Sequence, residues 1–234
     1  MQYWIMGAGG IGRALTEHLA RQGDNVVLFS RTLPELSSAA WPQVSWQQVN
    51  NTDGDALFKA CQHLALPDTV INTIGMLQQA AQQPEKRLEQ LSLAAFNNSL
   101  HINTWPTLLM AQILSQRLTR DHKLQFAALS ARVGSISDNR AGGWYSYRIS
   151  KAALNMAIKT IALEWQRRFP QAIMVGLHPG TVATSLSAPF RAGLAKGQLH
   201  TPEQAASHLI AVMNSLTTAH SGKIWAWDGQ EIPA

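Results

Sequence analysis

Cysteine is nearly missing from this sequence: Cys61 is the only one in 234 residues. A lone thiol excludes an internal disulfide framework, and the eight histidines fall in no metal-ligand spacing, so no metal is expected. Charge is sparse as well, at 14% of residues against 46% hydrophobic, which excludes a disordered chain and calls for a well-filled core. No apolar run approaches the ~20 residues of a membrane-crossing helix. The first residues run straight into a glycine loop without a signal or transit segment, so a cytoplasmic location is expected. Blocks of one charge are missing too. The net charge of +5 comes from scattered basic residues, and the short clusters at 117–123 and 167–168 read as solvated helix ends. Neither nucleic acid nor membrane is therefore expected as a partner.

Strand-like apolar runs fill the space these absences leave. They lie at 3–6, 26–30, 44–49, 69–73, 124–129, 172–177 and 223–227, alternating with helical patterns at 13–21, 56–64, about 88–118, 145–168 and 202–216. Within 145–168, Leu154, Ile158, Ile161 and Trp165 recur at helical spacing. The alternation predicts α/β architecture: a Rossmann-type doubly wound sandwich with a seven-stranded parallel sheet, in one domain spanning 1–234. No repeat or Pro/Ser-rich linker divides it. Residues 181–200, where Ser, Pro and Gly interrupt any period, are expected to form a substrate lid.

The first strand leads into Gly7, Ala8, Gly9, Gly10, Ile11 and Gly12, and then into a helix. Glycines permit a tight turn and close approach of backbone to a pyrophosphate, which the free N–H groups of the helix start then bind. In this strand–turn–helix context the loop predicts dinucleotide binding. The end of the second strand selects the dinucleotide. It reads Phe29, Ser30, Arg31, Thr32, with no acid before Glu35. A carboxylate there would favour the ribose hydroxyls of NAD. Arg31 instead offers a cation to a 2′-phosphate, with Ser30 or Thr32 adding a hydroxyl, so NADP(H) is expected.

Tyr147 and Lys151 stand four apart on a predicted helix and so share one face. A phenol titrates near pH 10, too high for easy acid/base work, and a neighbouring ammonium, with the positive nicotinamide of the oxidised complex, is expected to stabilise the phenolate and lower it. Tyr145 is excluded from this role because Ile149 lies four residues on. Hydride transfer from the dinucleotide with proton donation by Tyr147 would interconvert a carbonyl and an alcohol.

Together, the glycine loop and this Tyr-x-x-x-Lys pair resemble the short-chain dehydrogenase/reductase family. Other stretches fit the resemblance. Asn72, Thr73, Ile74 and Gly75 are similar to the family's Asn-Asn-Ala-Gly motif, and Asn103 to its proton-relay asparagine. Residues 178–184 are similar to its Pro-Gly-x-Val-x-Thr cofactor loop, implying cofactor contacts from Pro179, Gly180, Val182 and Thr184. Asn50 takes the position of an adenine-contacting acid, with Asp53 nearby. Within the family, residues 134–136, 142–148 and 222–229 resemble sniffer-type carbonyl reductases and C-signal-like proteins. The resemblance implies a homodimer or homotetramer formed through the helices at 88–118 and 145–168. The substrate pocket would include Trp144 and Trp227, with His178 packed beside the cofactor loop.

Two departures stand out. The glycine loop is one residue short, with Met6 where the family has threonine. The catalytic serine opens a Ser-x-x-Gly frame in the family; here that frame reads Ala131, Arg132, Val133, Gly134. Ser130 comes one position early and would face the other side of its strand unless the strand end turns or bulges. Ser130 remains the preferred stand-in over Ser135 and Ser137. The alternative is a dinucleotide-binding signalling or regulatory protein with little activity.

Overall fold

The computed structural model describes residues 1–33, 41–78, 83–188, 191 and 197–233. In chain order the elements are β1 (Gln2–Met6), α1 (Gly10–Arg21), β2 (Asn25–Ser30), β3 (Val44–Gln48), α2 (Gly54–Cys61) and β4 (Thr69–Asn72). Next come α3 (Leu93–Asn103), α4 (Trp105–Ser115), β5 (Leu124–Leu129), α5 (Tyr145–Arg168), β6 (Ala172–His178), β7 (Thr181–Val182) and β8 (Leu199–His200). The chain closes with α6 (Pro202–Ser215), β9 (Ile224–Ala226) and β10 (Glu231–Ile232).

The apolar runs of β1, β2, β4, β5 and β6 are continuous because both faces of each strand are covered. Trp4, Met6, Phe29, Val70, Phe126 and Met174 pack in one layer with Leu109 and Met110 of α4 and Leu154, Ile158 and Trp165 of α5. Tyr3, Ile5, Leu28, Ile71, Ala127 and Val175 pack in the other with Leu15 and Leu19 of α1 and Leu209 and Met213 of α6. The sheet order is β10-β9-β6-β5-β4-β1-β2-β3. Seven of these strands run parallel, and the order reverses between β1 and β4. In open α/β sheets the ligand crevice lies outside the carboxyl ends of strands at such a reversal.

The structure corrects the sequence reading at several points. The sheet has eight strands, because the two-residue β10 pairs antiparallel with β9 across a turn containing Gly229, at φ +81°. A strand that short leaves no periodicity to read. The expected helix at 88–118 is three pieces: a 3-10 turn at Leu88–Gln90, then α3, then α4. Pro106 lies in the first turn of α4. It has no N–H to donate, and its ring clashes with the carbonyl four residues back, so the chain breaks at Thr104. α1 begins at Gly10, taking the end of the glycine loop into its first turn.

Both ends of the expected lid are clipped together. Thr181 pairs with Leu199 and Val182 with His200, and the Ala183 N–H donates to the His200 carbonyl at 2.9 Å. Residues 189–190 and 192–196 of that stretch lie outside the described residues. Among the described residues, no helix is long and apolar enough to cross a membrane.

Candidate active site

The glycine loop turns at the end of β1 against β2 and β4. The Gly7 N–H donates to the Phe29 carbonyl at 2.8 Å, and Gly7 sits at φ +93°. A Cβ on Gly12 would stand 2.0 Å from the Gly7 carbonyl oxygen, so nothing larger than glycine closes this turn. The Thr73 hydroxyl reaches back to the carbonyls of Met6 (2.8 Å) and Gly7 (3.1 Å), pinning the loop from β4. α1 starts at Gly9 with no side-chain cap and no acid in its first turn, which leaves its end N–H groups available to an anion.

A cavity of about 880 Å³ opens over this loop, lined by Gly7, Gly9, Ser30, Arg31, Asn50, Asn51, Thr73 and Gly75 among others. A second, of about 370 Å³, adjoins it through Thr73, Ile74, Gly75, Leu77 and Leu186. Ile11, Ser130, Tyr147, Lys151, Pro179, Gly180, Val182 and Thr184 line this second chamber. Most of the expected cofactor residues therefore meet along one groove. Gly10 and Gly12 support it from beneath: a Cβ on Gly10 would come within 2.7 Å of Thr184 Cγ2. Asn72 is buried and positions rather than lines, donating to Thr107 Oγ1 at 2.8 Å and accepting from the Ile74 N–H at 2.9 Å.

At the far end of the groove, Arg31 is exposed and makes no ion pair with a described residue. Ser30, one of the two expected hydroxyl donors, is engaged within the protein. Its hydroxyl proton goes to the Thr32 carbonyl at 2.7 Å, and its oxygen accepts from Trp46 Nε1 at 2.8 Å. Asn50 is exposed and turned to Thr52, and Asp53 caps α2 by accepting from the Ala56 N–H at 3.0 Å. Their neighbour Asn51 went unnoticed in the sequence. Its amide donates to the Phe29 carbonyl at 3.1 Å, while its Oδ1 is buried without a partner among the described residues. An unpartnered buried acceptor on the wall of a cavity fits a ligand amine.

Tyr147 and Lys151 are both buried on the inner face of α5. Burial pushes the Tyr147 phenol up to about 12 and the Lys151 ammonium down to about 8. The expectation that lysine lowers the tyrosine is thus not met in this state. Lys151 Nζ donates to the Leu129 carbonyl at 2.8 Å and lies 5.9 Å from the Tyr147 ring centre, so desolvation outweighs the charge. Tyr147 is consequently protonated at physiological pH. Asn103 ends α3 beside them. It donates to the Met76 carbonyl and Ser150 Oγ, both at 2.9 Å, and accepts from the Met76 N–H at 2.6 Å. A Cβ on Gly75 would lie 3.5 Å from Lys151 Nζ and 3.8 Å from Asn103 Oδ1, so the motif glycine leaves room between them.

Ser130 continues the β5 ladder without a bulge, its N–H donating to the Leu177 carbonyl at 2.8 Å. Phe126 and Ala128 face the α5 layer, and Ser130 keeps that alternation. Its hydroxyl donates to Asn155 Oδ1 on α5 at 2.6 Å. Ala131, extended at φ −151°, stands at the family's serine position and lines the smaller chamber. The chamber walls are chiefly Leu129, Val133, Trp144 and Val182. The nearby cations are occupied. Arg132 pairs with Asp138 at 2.8 Å, and Arg148 donates to the carbonyls of Gly142, Gly143 and Val133. Burial, with Arg132 adding to it, lowers His178 to about 4, so its ring is neutral at physiological pH.

The family model described as short chain dehydrogenase matches residues 3–195. A 1-hydroxy-2-glutathionyl-2-methyl-3-butene dehydrogenase of Rhodococcus sp. (strain AD45) is 37% identical over 130 residues, 56% of this chain and 54% of the relative. The C-signal protein of Myxococcus xanthus is 34% identical over 108 residues, 46% of this chain and 59% of the relative. The chain therefore matches little more than half the length of these two relatives. An NADPH-bound carbonyl reductase from chicken fatty liver has the same fold, with a TM-score of 0.81 at 22% identity, covering 100% of this chain and 98% of that one.

Proposed function

The chain belongs to the short chain dehydrogenase family, and from that premise we propose that it is an NADP(H)-dependent oxidoreductase interconverting an uncharged, apolar carbonyl compound and its alcohol. The observation that carries the reading is the pair Tyr147 and Lys151, buried together where the smaller chamber meets the nucleotide groove. The residues present fit a dinucleotide: the open start of α1 for the pyrophosphate, the unpartnered Asn51 Oδ1 for the adenine amine, and the exposed Arg31 for a 2′-phosphate. When bound, that group supplies the hydride.

Tyr147 donates its proton to the carbonyl oxygen as charge develops there, and the Lys151 ammonium stabilises the phenolate left behind. Ser130 Oγ gives its proton to Asn155 Oδ1, so Tyr147 is assigned as the acid. An apolar chamber whose lining arginine, Arg132, is already paired with Asp138 favours a neutral substrate over a carboxylate. The NADPH-bound relative of the same fold supports the cofactor assignment. A second reading, a dinucleotide-binding signalling protein with feeble turnover, is favoured by Ala131 in the serine position and by the similarity to C-signal.

NADPH oxidation against aromatic and aliphatic ketones, with 2-oxo acids for contrast, separates the two. The enzyme reading expects turnover with the neutral ketones. It also expects Tyr147→Phe to lose about a hundredfold or more in kcat while NADPH affinity stays within about twofold. Tight NADPH binding without turnover on any carbonyl would leave the second reading.

A further inference from the structure

We propose that Glu85 is a positioning residue for the reaction, holding the start of α5 so that Tyr147 is presented to the substrate. This rests on the reading of Tyr147 as the acid. The catalytic helix begins in an unusual way. Gly142, Gly143 and Trp144 all have positive φ, at +61°, +64° and +52°, and Trp144 is the one non-glycine residue among those described that does. A bulky residue in that region is held there by its surroundings. Trp144 offers α5 no side-chain cap, and the first turn contains no acid. Two N–H groups at the start of this helix, those of Trp144 and Ser146, are instead met by Glu85, 61 positions before Ser146.

Glu85 meets them with three contacts. Its backbone carbonyl accepts from the Trp144 N–H at 2.5 Å, and its Oε2 accepts from the Ser146 N–H at 3.2 Å. Its Oε1 accepts the Ser146 hydroxyl. The carboxylate is only 4% exposed, and no described Lys, Arg or His pairs with it. Burying an acid without a cation is costly, and a serine or aspartate at the helix start would cap more cheaply. What the long reach adds is a cross-tie. It locks the segment that follows the Asn72–Gly75 turn onto the residue beside Tyr147. Arg148 completes the clamp by taking the Gly142 and Gly143 carbonyls. Trp144, so fixed, meets the Tyr147 ring edge-on at a centroid separation of 6.3 Å.

Two measurements on Glu85→Ala and Glu85→Gln test this. A glutamine can still accept from the Ser146 N–H and donate to its hydroxyl, so it should preserve the geometry. In hydrogen-exchange mass spectrometry, Glu85→Ala should speed exchange at residues 144–150 at least tenfold while the sheet stays protected, and Glu85→Gln should stay near wild type. On a ketone substrate, Glu85→Ala should lose at least tenfold in kcat with KM and NADPH affinity within about twofold, and Glu85→Gln should recover most of it. Unchanged exchange at the start of α5 would overturn the proposal. So would exchange raised evenly across the chain, or a Glu85→Gln variant as impaired as the alanine. If the wild type turns over no ketone, the functional reading fails, while the exchange data still judge the clamp.

Discussion

Ser130 and Ala131 both line the smaller chamber, but the Ser130 hydroxyl is tied to Asn155 of α5. If Ser130 serves only to hold Asn155, Ser130→Ala should leave kcat within about twofold and cost about 1 kcal/mol of stability from the lost buried hydrogen bond. Ala131→Ser should raise kcat about tenfold or more by adding a carbonyl-polarising hydroxyl. Assaying the two side by side decides it, since the opposite pattern would make Ser130 the catalytic hydroxyl. Arg31 can be tested as simply. Its replacement by alanine should weaken NADPH binding at least tenfold, about 1.4 kcal/mol, and leave NADH untouched, as read by fluorescence titration. Strand alternation alone raised the offset at Ser130, although the sequence reading still preferred Ser130 as the catalytic hydroxyl; its bond to Asn155 could not be read from sequence. The saturation of Ser30 by Trp46 and Thr32, the orphaned Asn51 oxygen and the Glu85 cross-tie were not legible either, because each depends on partners that no local pattern links.

Among the elements, the strands were readable because a two-sided sheet needs unbroken apolar runs, and α5 because its buried positions recur at helical spacing. The break at Thr104 was missed although Pro106 marks it, since apolar residues continue on both sides of the proline. The clasp of β7 on β8 lay beyond sequence altogether; two-residue strands carry no period. It sets His200 of β8 against Gly180 of the cofactor loop, near His178 at the end of β6, and burial lowers both histidines. His178 falls from 6.5 to about 4, so between those values the unfolded chain binds a proton that the folded one refuses. Its contribution to stability is complete above pH 6.5 and is lost as pH falls towards 4. Urea midpoints should therefore drop from pH 7 to pH 4.5, and less so in His178→Asn. An equal drop in that variant would assign the acid sensitivity elsewhere.

For the whole molecule, alternation of strand and helix was enough to give the layered parallel sheet, whereas the strand order and its reversal between β1 and β4, where the groove opens, came only with the structure. Assembly is the next question at this scale. Ile149, Met156 and Leu163 on α5 and Trp105 on α4 are exposed apolar side chains, suited to isologous packing of helices across a twofold axis. Light scattering at micromolar concentration should give two or four times the chain mass of 25.6 kDa; a single chain mass would refute this. In the proposed reaction a dinucleotide held in the groove would supply hydride to a carbonyl while Tyr147 supplies the proton. Mass spectrometry of the alcohol formed from an aromatic ketone and NADPH deuterated at the nicotinamide C4 tests it most directly. One deuterium on the carbinol carbon is the predicted result, with formation slowed at least a hundredfold or so in Tyr147→Phe. Bound dinucleotide with no label in any product, or equal rates in the two proteins, would contradict it.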